Sequence, residues 1–165
     1  GGVYYRVNSY LHGFSSIKME HGTARCKFIY CFGDSSGGGN GFTIDGILHQ
    51  FRGCKAGLNW MNGFNIYGAQ DCVFDVYSYD NGQGASATYS NSILQDNATA
   101  VHAVRNVIKA VCQNNQTNKC KYDIREETGG DYNIIASGTI SKGALTAGIS
   151  TTGTHTKTSA DIQQL

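Results

Sequence analysis

Asp45, Asp75 and Arg105 fall at equal intervals along the chain. In a chain that coils with that period they would stack in one column, rung on rung, at about 4.8 Å per step. Two stacked carboxylates repel, so one has a raised pKa unless a cation compensates. That is the arrangement acid–base chemistry uses, and a glycoside hydrolase would want its carboxylates about 5 Å or about 6.5–9.5 Å apart. The bland alternative is a set of turn carboxylates at the surface, because with 12 acidic residues some pair aligns in any chosen register. His49, Arg52 and Lys55 follow closely on Asp45 and either line the same face or sit in solvated loop.

Aromatic residues are the second candidate. Trp60, Tyr67, Tyr77 and Tyr79 lie in or beside strand-like runs. A row of exposed rings suits sugar stacking, each ring offering flat apolar area with a polar tip. The competing role is packing, with phenylalanines filling the interior and tyrosines covering its sides. No GxSxG nucleophile motif occurs, and the glycine-rich stretch 37–41 precedes a strand-like run rather than a helix, so it reads as a turn.

These residues need elements to position them. Gly41-Phe42-Thr43-Ile44-Asp45-Gly46 and Gly63-Phe64-Asn65-Ile66-Tyr67-Gly68 repeat one pattern, the second displaced from the first by little more than a strand-and-turn unit. Ile17, Ile44, Ile66 and Ile93 recur on a similar scale. Such periods indicate a stacked architecture. Short runs rich in β-branched and aromatic residues, such as Val73–Tyr77, alternate with Gly, Asn and Ser clusters throughout. The segment 97–113 has apolar residues at helical spacing. The register shared by Asp45, Asp75 and Arg105 instead aligns Val104–Val107 with Phe74–Tyr77 and Ile44–Ile47, which favours strands over Val104–Val111.

Composition narrows the classes. The chain of 165 residues fits one domain, with 1–40 less regular than the rest and readable as a cap or as N-terminal coils. It opens on Gly1-Gly2 with no Met nearby, which is compatible with a piece of a longer solenoid. It holds 22 glycines and no proline. Proline would remove a ladder donor from strands paired on both sides. A net charge of +1 with 15% charged residues gives no electrostatic footprint for nucleic acid. No apolar run is long enough to span a membrane. Six cysteines without a CxxC pair argue against zinc or thioredoxin-like sites. They are either buried free thiols or bridges, most simply Cys26–Cys31 and Cys112–Cys120. Two sequons start at Asn97 and Asn115, matches that arise easily in so Asn- and Thr-rich a chain.

The stretch from Gly63 to Gly82, Tyr122–Ile124 with Asn133–Ile140, and Ala147–Gly153 resemble the right-handed parallel β-helix of the pectate-lyase-like superfold. That superfold is shared by polysaccharide lyases, glycosidases, adhesins and phage tailspikes. The resemblance implies an all-β solenoid of about five to six coils. It is best for 41–165, it concerns shape rather than enzyme, and no pectate lyase motif matches residue by residue. Lyases of this superfold use acidic residues for calcium and a basic residue to abstract a proton, which would place Asp45, Asp75 and Arg105 in catalytic roles. Low charge, abundant Gly, Asn, Ser and Thr and no proline are most similar to phage tail appendages. The reading is therefore a virion or extracellular appendage, homotrimeric, that binds a cell-surface polysaccharide through Trp60, Tyr67, Tyr77 and Tyr79, with neither cofactor nor resident metal. The alternatives are a secreted polysaccharide lyase or glycosidase, and a ligand-free structural shaft or adhesin.

Overall fold

The computed structural model describes residues 1–10, 13–84, 91–96, 103–115, 120–142, 144 and 147–164. Among them are seventeen strands and no helix. These are β1 (Val3–Tyr5), β2 (Asn8–Tyr10), β3 (Ile17–Lys18), β4 (Lys27–Ile29), β5 (Phe32–Asp34), β6 (Phe42–Ile44), β7 (Gln50–Gly57), β8 (Phe64–Tyr67) and β9 (Val73–Tyr79). There follow β10 (Asn91–Asp96), β11 (Val107–Gln113), β12 (Tyr122–Glu126), β13 (Ile134–Ile135), β14 (Ile140–Lys142), β15 (Ala147–Ser150), β16 (Lys157–Thr158) and β17 (Gln163–Gln164).

Every strand pairs in parallel, giving the expected β-solenoid. One sheet stacks β1-β4-β7-β9-β11-β13-β16, with β2, β5, β14 and β17 alongside; the second stacks β3-β6-β8-β10-β12-β15. Val3, Lys27, Gln50, Val73, Val107, Ile134 and Lys157 are register equivalents in the first sheet. The steps between them are nearly even, except that the coil leaving Val73 returns only at Val107 and the next only at Ile134.

Alternation decides which side chains fill the coil. Phe28, Phe51, Phe74, Ile108 and Ile135 occupy one inward position on successive rungs, and all are buried. Their rings stack at 4.9 Å (Phe28–Phe51) and 5.0 Å (Phe51–Phe74), and Tyr4 adds a ring 4.7 Å from Phe28. The second sheet contributes Phe42 on Phe64 at 4.7 Å, and Phe42 meets Phe51 edge-on at 6.1 Å. The repeat that the sequence displays is thus a ladder of rings held one rung apart.

Corners repeat as strictly as strands. Arg25, Leu48, Asp71, Arg105 and Tyr132 all take left-handed φ between 55° and 59°. Each is followed by a buried residue: Cys26, His49, Cys72, Asn106 or Asn133. A corner amide has no strand partner, and at all five of these corners it donates to a side chain one rung on, His49 N–H to Cys72 Sγ and Asn133 N–H to Thr156 Oγ1 at 3.3 Å each. Cys26 N–H donates to His49 Nδ1 (3.1 Å), Cys72 N–H to Asn106 Oδ1 (3.0 Å) and Asn106 N–H to Asn133 Oδ1 (2.8 Å). A second buried ladder runs through Ser36, Asn59 and Asn81. Near the C-terminal rung the buried Glu126 carboxylate accepts from Asn133 Nδ2, Thr156 Oγ1 and the amides of Thr152 and Gly153.

Several expectations change in detail. Phe42 and Ile44 pair with Phe64 and Ile66, as the repeated pattern requires. Ile17, however, pairs with Phe42, and Ile93 with Phe64. The isoleucine run slips by two positions there, and such a slip preserves the inward face, which is why the pattern still looked periodic. Val107–Gln113 is a strand rather than a helix, but not in the register that suggested it: Ile108, not Val104, pairs with Phe74, and Val104 bridges Gln70; residues 97–102 lie outside the described residues. All six cysteines are free, buried thiols, so neither suggested bridge forms. Asn115 of the second sequon is exposed; the first sequon lies outside the described residues.

Candidate functional site

The column of Asp45, Asp75 and Arg105 does not form. The coil from Ile44 returns at Ile66 and the coil from Val73 returns at Val107, so the equal interval among the three residues matches neither. Asp45 is a buried corner residue beyond β6, where its Oδ1 accepts Gly46 N–H at 2.6 Å and His21 Nδ1 approaches to 3.4 Å. Arg105 stands at another corner. There it grips Asp71 with two bonds, Nε to Oδ1 at 2.7 Å and Nη2 to Oδ2 at 2.8 Å, and its guanidinium holds the Asp71 carboxyl below its usual range. His49 is fully buried and belongs to the corner ladder rather than to an exposed face; burial lowers its pKa.

Asp75 lies elsewhere, on the outer face of the first sheet. Its register partners are Arg52 on β7 and Lys109 on β11, and all three side chains are exposed. The next outward column holds Phe32, Lys55, Tyr77 and Val111, and the one after it Asp34, Gly57, Tyr79 and Gln113. Arg52 and Lys55 therefore line one face with Asp75, but without His49, Asp45 or Arg105, which the sequence reading had placed on that same face.

Within this grid the two tyrosines form a platform. Their ring centres are 5.4 Å apart with 26° between planes. Each hydroxyl is tied down: Tyr77 donates to Gln113 Oε1 at 2.8 Å and Tyr79 to Asp34 Oδ2 at 2.7 Å. Burial, and then the Asp34 carboxylate, raise the Tyr79 phenol above its usual pKa, so it stays a donor. Gly57 runs directly beneath the Tyr79 ring, where a Cβ would collide with the ring carbons. Lys55 Nζ sits 5.5 Å from the Phe32 ring centre and 5.8 Å from that of Tyr77, near enough to be attracted to both faces. A shallow groove of about 400 Å³ adjoins it, lined by Arg52, Asp75, Lys109 and their neighbours.

The other two aromatic candidates lie apart. Trp60 is half exposed in the turn between β7 and β8, with Gly84 crossing so near its indole that a Cβ there would lie 2.6 Å from Nε1. Tyr67 ends β8 in the second sheet and is half buried. The structure thus brings together Asp75, Tyr77 and Tyr79 and separates Asp45, Trp60, Tyr67 and Arg105 from them. Reading the sequence missed Asp34, Gly57, Lys109 and Gln113. Their signal was the outward half of the alternation along each strand, usable for Lys109 and Gln113 only once the coil leaving Val73 is known to return at Val107. Among the described residues no cluster of three or more His, Cys, Asp or Glu side chains is placed to hold a metal ion.

No protein-family model, no curated protein and no solved structure matches the chain.

Proposed function

We propose that the protein is a β-solenoid surface appendage that binds an extended polysaccharide along the outer face of its first sheet, without cleaving it. The observation that carries this reading is the stacked Tyr77–Tyr79 pair, with both hydroxyls fixed and polar groups on either side. A sugar ring has an apolar face and a rim of hydroxyls. Ring stacking serves the first, and Asp75, Gln113 and Lys55 on neighbouring rungs serve the second. The face is open along its rungs, which suits a long polymer rather than a small molecule held in a pocket. A virion or extracellular setting accords with such a ligand.

The test is retention on immobilised polysaccharides. Tyr77→Ala with Tyr79→Ala should abolish retention, whereas Trp60→Ala should leave it unchanged. Retention that survives the double substitution, or that depends on Trp60 alone, would refute the assignment. Release of reducing ends or unsaturated products by the wild-type protein would replace binding with catalysis.

A further inference from the structure

The outer face of the first sheet carries an excess of positive charge. Lys27, Arg52, Lys55, Lys109, Lys142 and Lys157 all stand exposed on it, against three carboxylates, Asp34, Asp75 and Asp161. Six cations less three anions gives +3 on this face. The chain as a whole is +1, so everything else sums to −2. Of the cations elsewhere, three are matched locally: Lys18 with Glu20, Arg105 with Asp71 and Arg125 with Glu127. None of the six takes part in an ion pair among the described residues. Of the three carboxylates on the face, Asp34 already accepts from the Tyr79 hydroxyl and Asp161 from the Ser159 hydroxyl.

The spacing matters as much as the sum. Arg52 and Lys109 flank Asp75 two rungs apart, about 10 Å at the usual strand separation. Lys55 lies beside Tyr77, one column over. Net cationic charge set out on a rigid lattice next to a ring platform attracts a polymer whose negative charges recur along its length. Resting on the polysaccharide reading above, we infer that the glycan this face takes is acidic, its carboxylate or sulfate groups meeting Arg52, Lys55 and Lys109 while a sugar ring stacks on Tyr77. Sugar is favoured over a nucleic acid strand because three carboxylates share the face, where they accept from hydroxyls but repel phosphates.

The experiment measures binding of the full chain to four probes: dextran, polygalacturonate, dextran sulfate and a thymidine oligonucleotide. Each is run from about 20 to 300 mM NaCl, a range that brackets strong and weak screening, with the wild type, with Arg52→Gln/Lys109→Gln, and with Tyr77→Ala. The expected result is binding to one or both acidic glycans and not to dextran. It should weaken with salt, because exposed charges are screened over roughly 10 Å at 0.1 M. The double glutamine variant should lose roughly three- to tenfold in affinity at low salt, the scale of two exposed charge contacts. Carboxylate and sulfate sources are told apart by which acidic probe binds more tightly. Salt-independent binding to dextran, lost in Tyr77→Ala, would overturn the acidic ligand and leave the polysaccharide reading standing. Binding to none of the three glycans would overturn both. Salt-sensitive binding untouched by the double variant, or tighter binding to the oligonucleotide, would overturn this inference. Circular dichroism of each variant checks that the solenoid is intact.

Discussion

The ladder of rings makes Phe51 the most informative place to perturb the fold. Its side chain is 1% exposed and stacks on Phe28 at 4.9 Å and on Phe74 at 5.0 Å, with Phe42 edge-on at 6.1 Å. Truncating a buried Phe to Ala costs about 3–5 kcal/mol in lost transfer energy and cavity. Two good stacked contacts place Phe51→Ala in the upper half of that range, about 4–5 kcal/mol. Phe51→Leu keeps most of the volume and loses the stacking, so about 1–2 kcal/mol is expected. Because a solenoid coil contacts only its neighbours, the cavity cannot be relieved by distant repacking. Urea unfolding followed by Trp60 fluorescence and by circular dichroism is the assay. With a slope of about 2 kcal/mol per molar, the Ala variant should shift the midpoint by roughly 2 M. Loss of less than about 1 kcal/mol with an unchanged slope, far below the cost of an ordinary buried Phe, would show that the ring ladder does not hold the coils together. Separate fluorescence and dichroism midpoints in the variant would show instead that the coils on either side of rung β7 had uncoupled.

Three further outcomes follow from named contacts. His49 is buried, with Nδ1 accepting from Cys26 N–H and Nε2 facing the Asp45 carbonyl at 3.1 Å. Its folded pKa lies below the ordinary 6.5, so stability is full above about pH 6.5 and falls as the pH drops below it, since the unfolded chain then binds the extra proton. His49→Asn, the residue type that does this work at Asn106 and Asn133, should flatten that part of a melting-temperature profile between pH 8 and 5; an unchanged slope would place the sensitivity elsewhere. Gly57→Ala should push the Tyr79 ring off its seat and reduce polysaccharide retention as much as Tyr79→Ala does, with circular dichroism unchanged. Full retention would mean the ring position is immaterial. Burial pushes the thiols of Cys54 and Cys72 up to about 12 and about 11, so neither should react with a disulfide reagent at pH 8 until denaturant is added. Rapid labelling of either in the native protein would contradict their placement.

Side-chain identity alone determined that this chain coils. Phe and Ile at alternate positions, Gly or Asn at the bends and no proline are local requirements of stacked parallel strands, and each is legible residue by residue. The Gly-Phe-x-Ile pair even fixed one register correctly, because two consecutive coils of minimal length have no excursion between them. What no local pattern states is how much chain each later excursion consumes. The coil that leaves Val73 returns only at Val107, and the next only at Ile134, and those lengths decide which side chains become neighbours. For that reason Asp75 stands between Arg52 and Lys109 rather than between Asp45 and Arg105. Arg105 is spent on Asp71, and His49 faces inward to cap a corner amide. Only the tertiary register put two tyrosines and a set of cations without ion pairs among the described residues on one face.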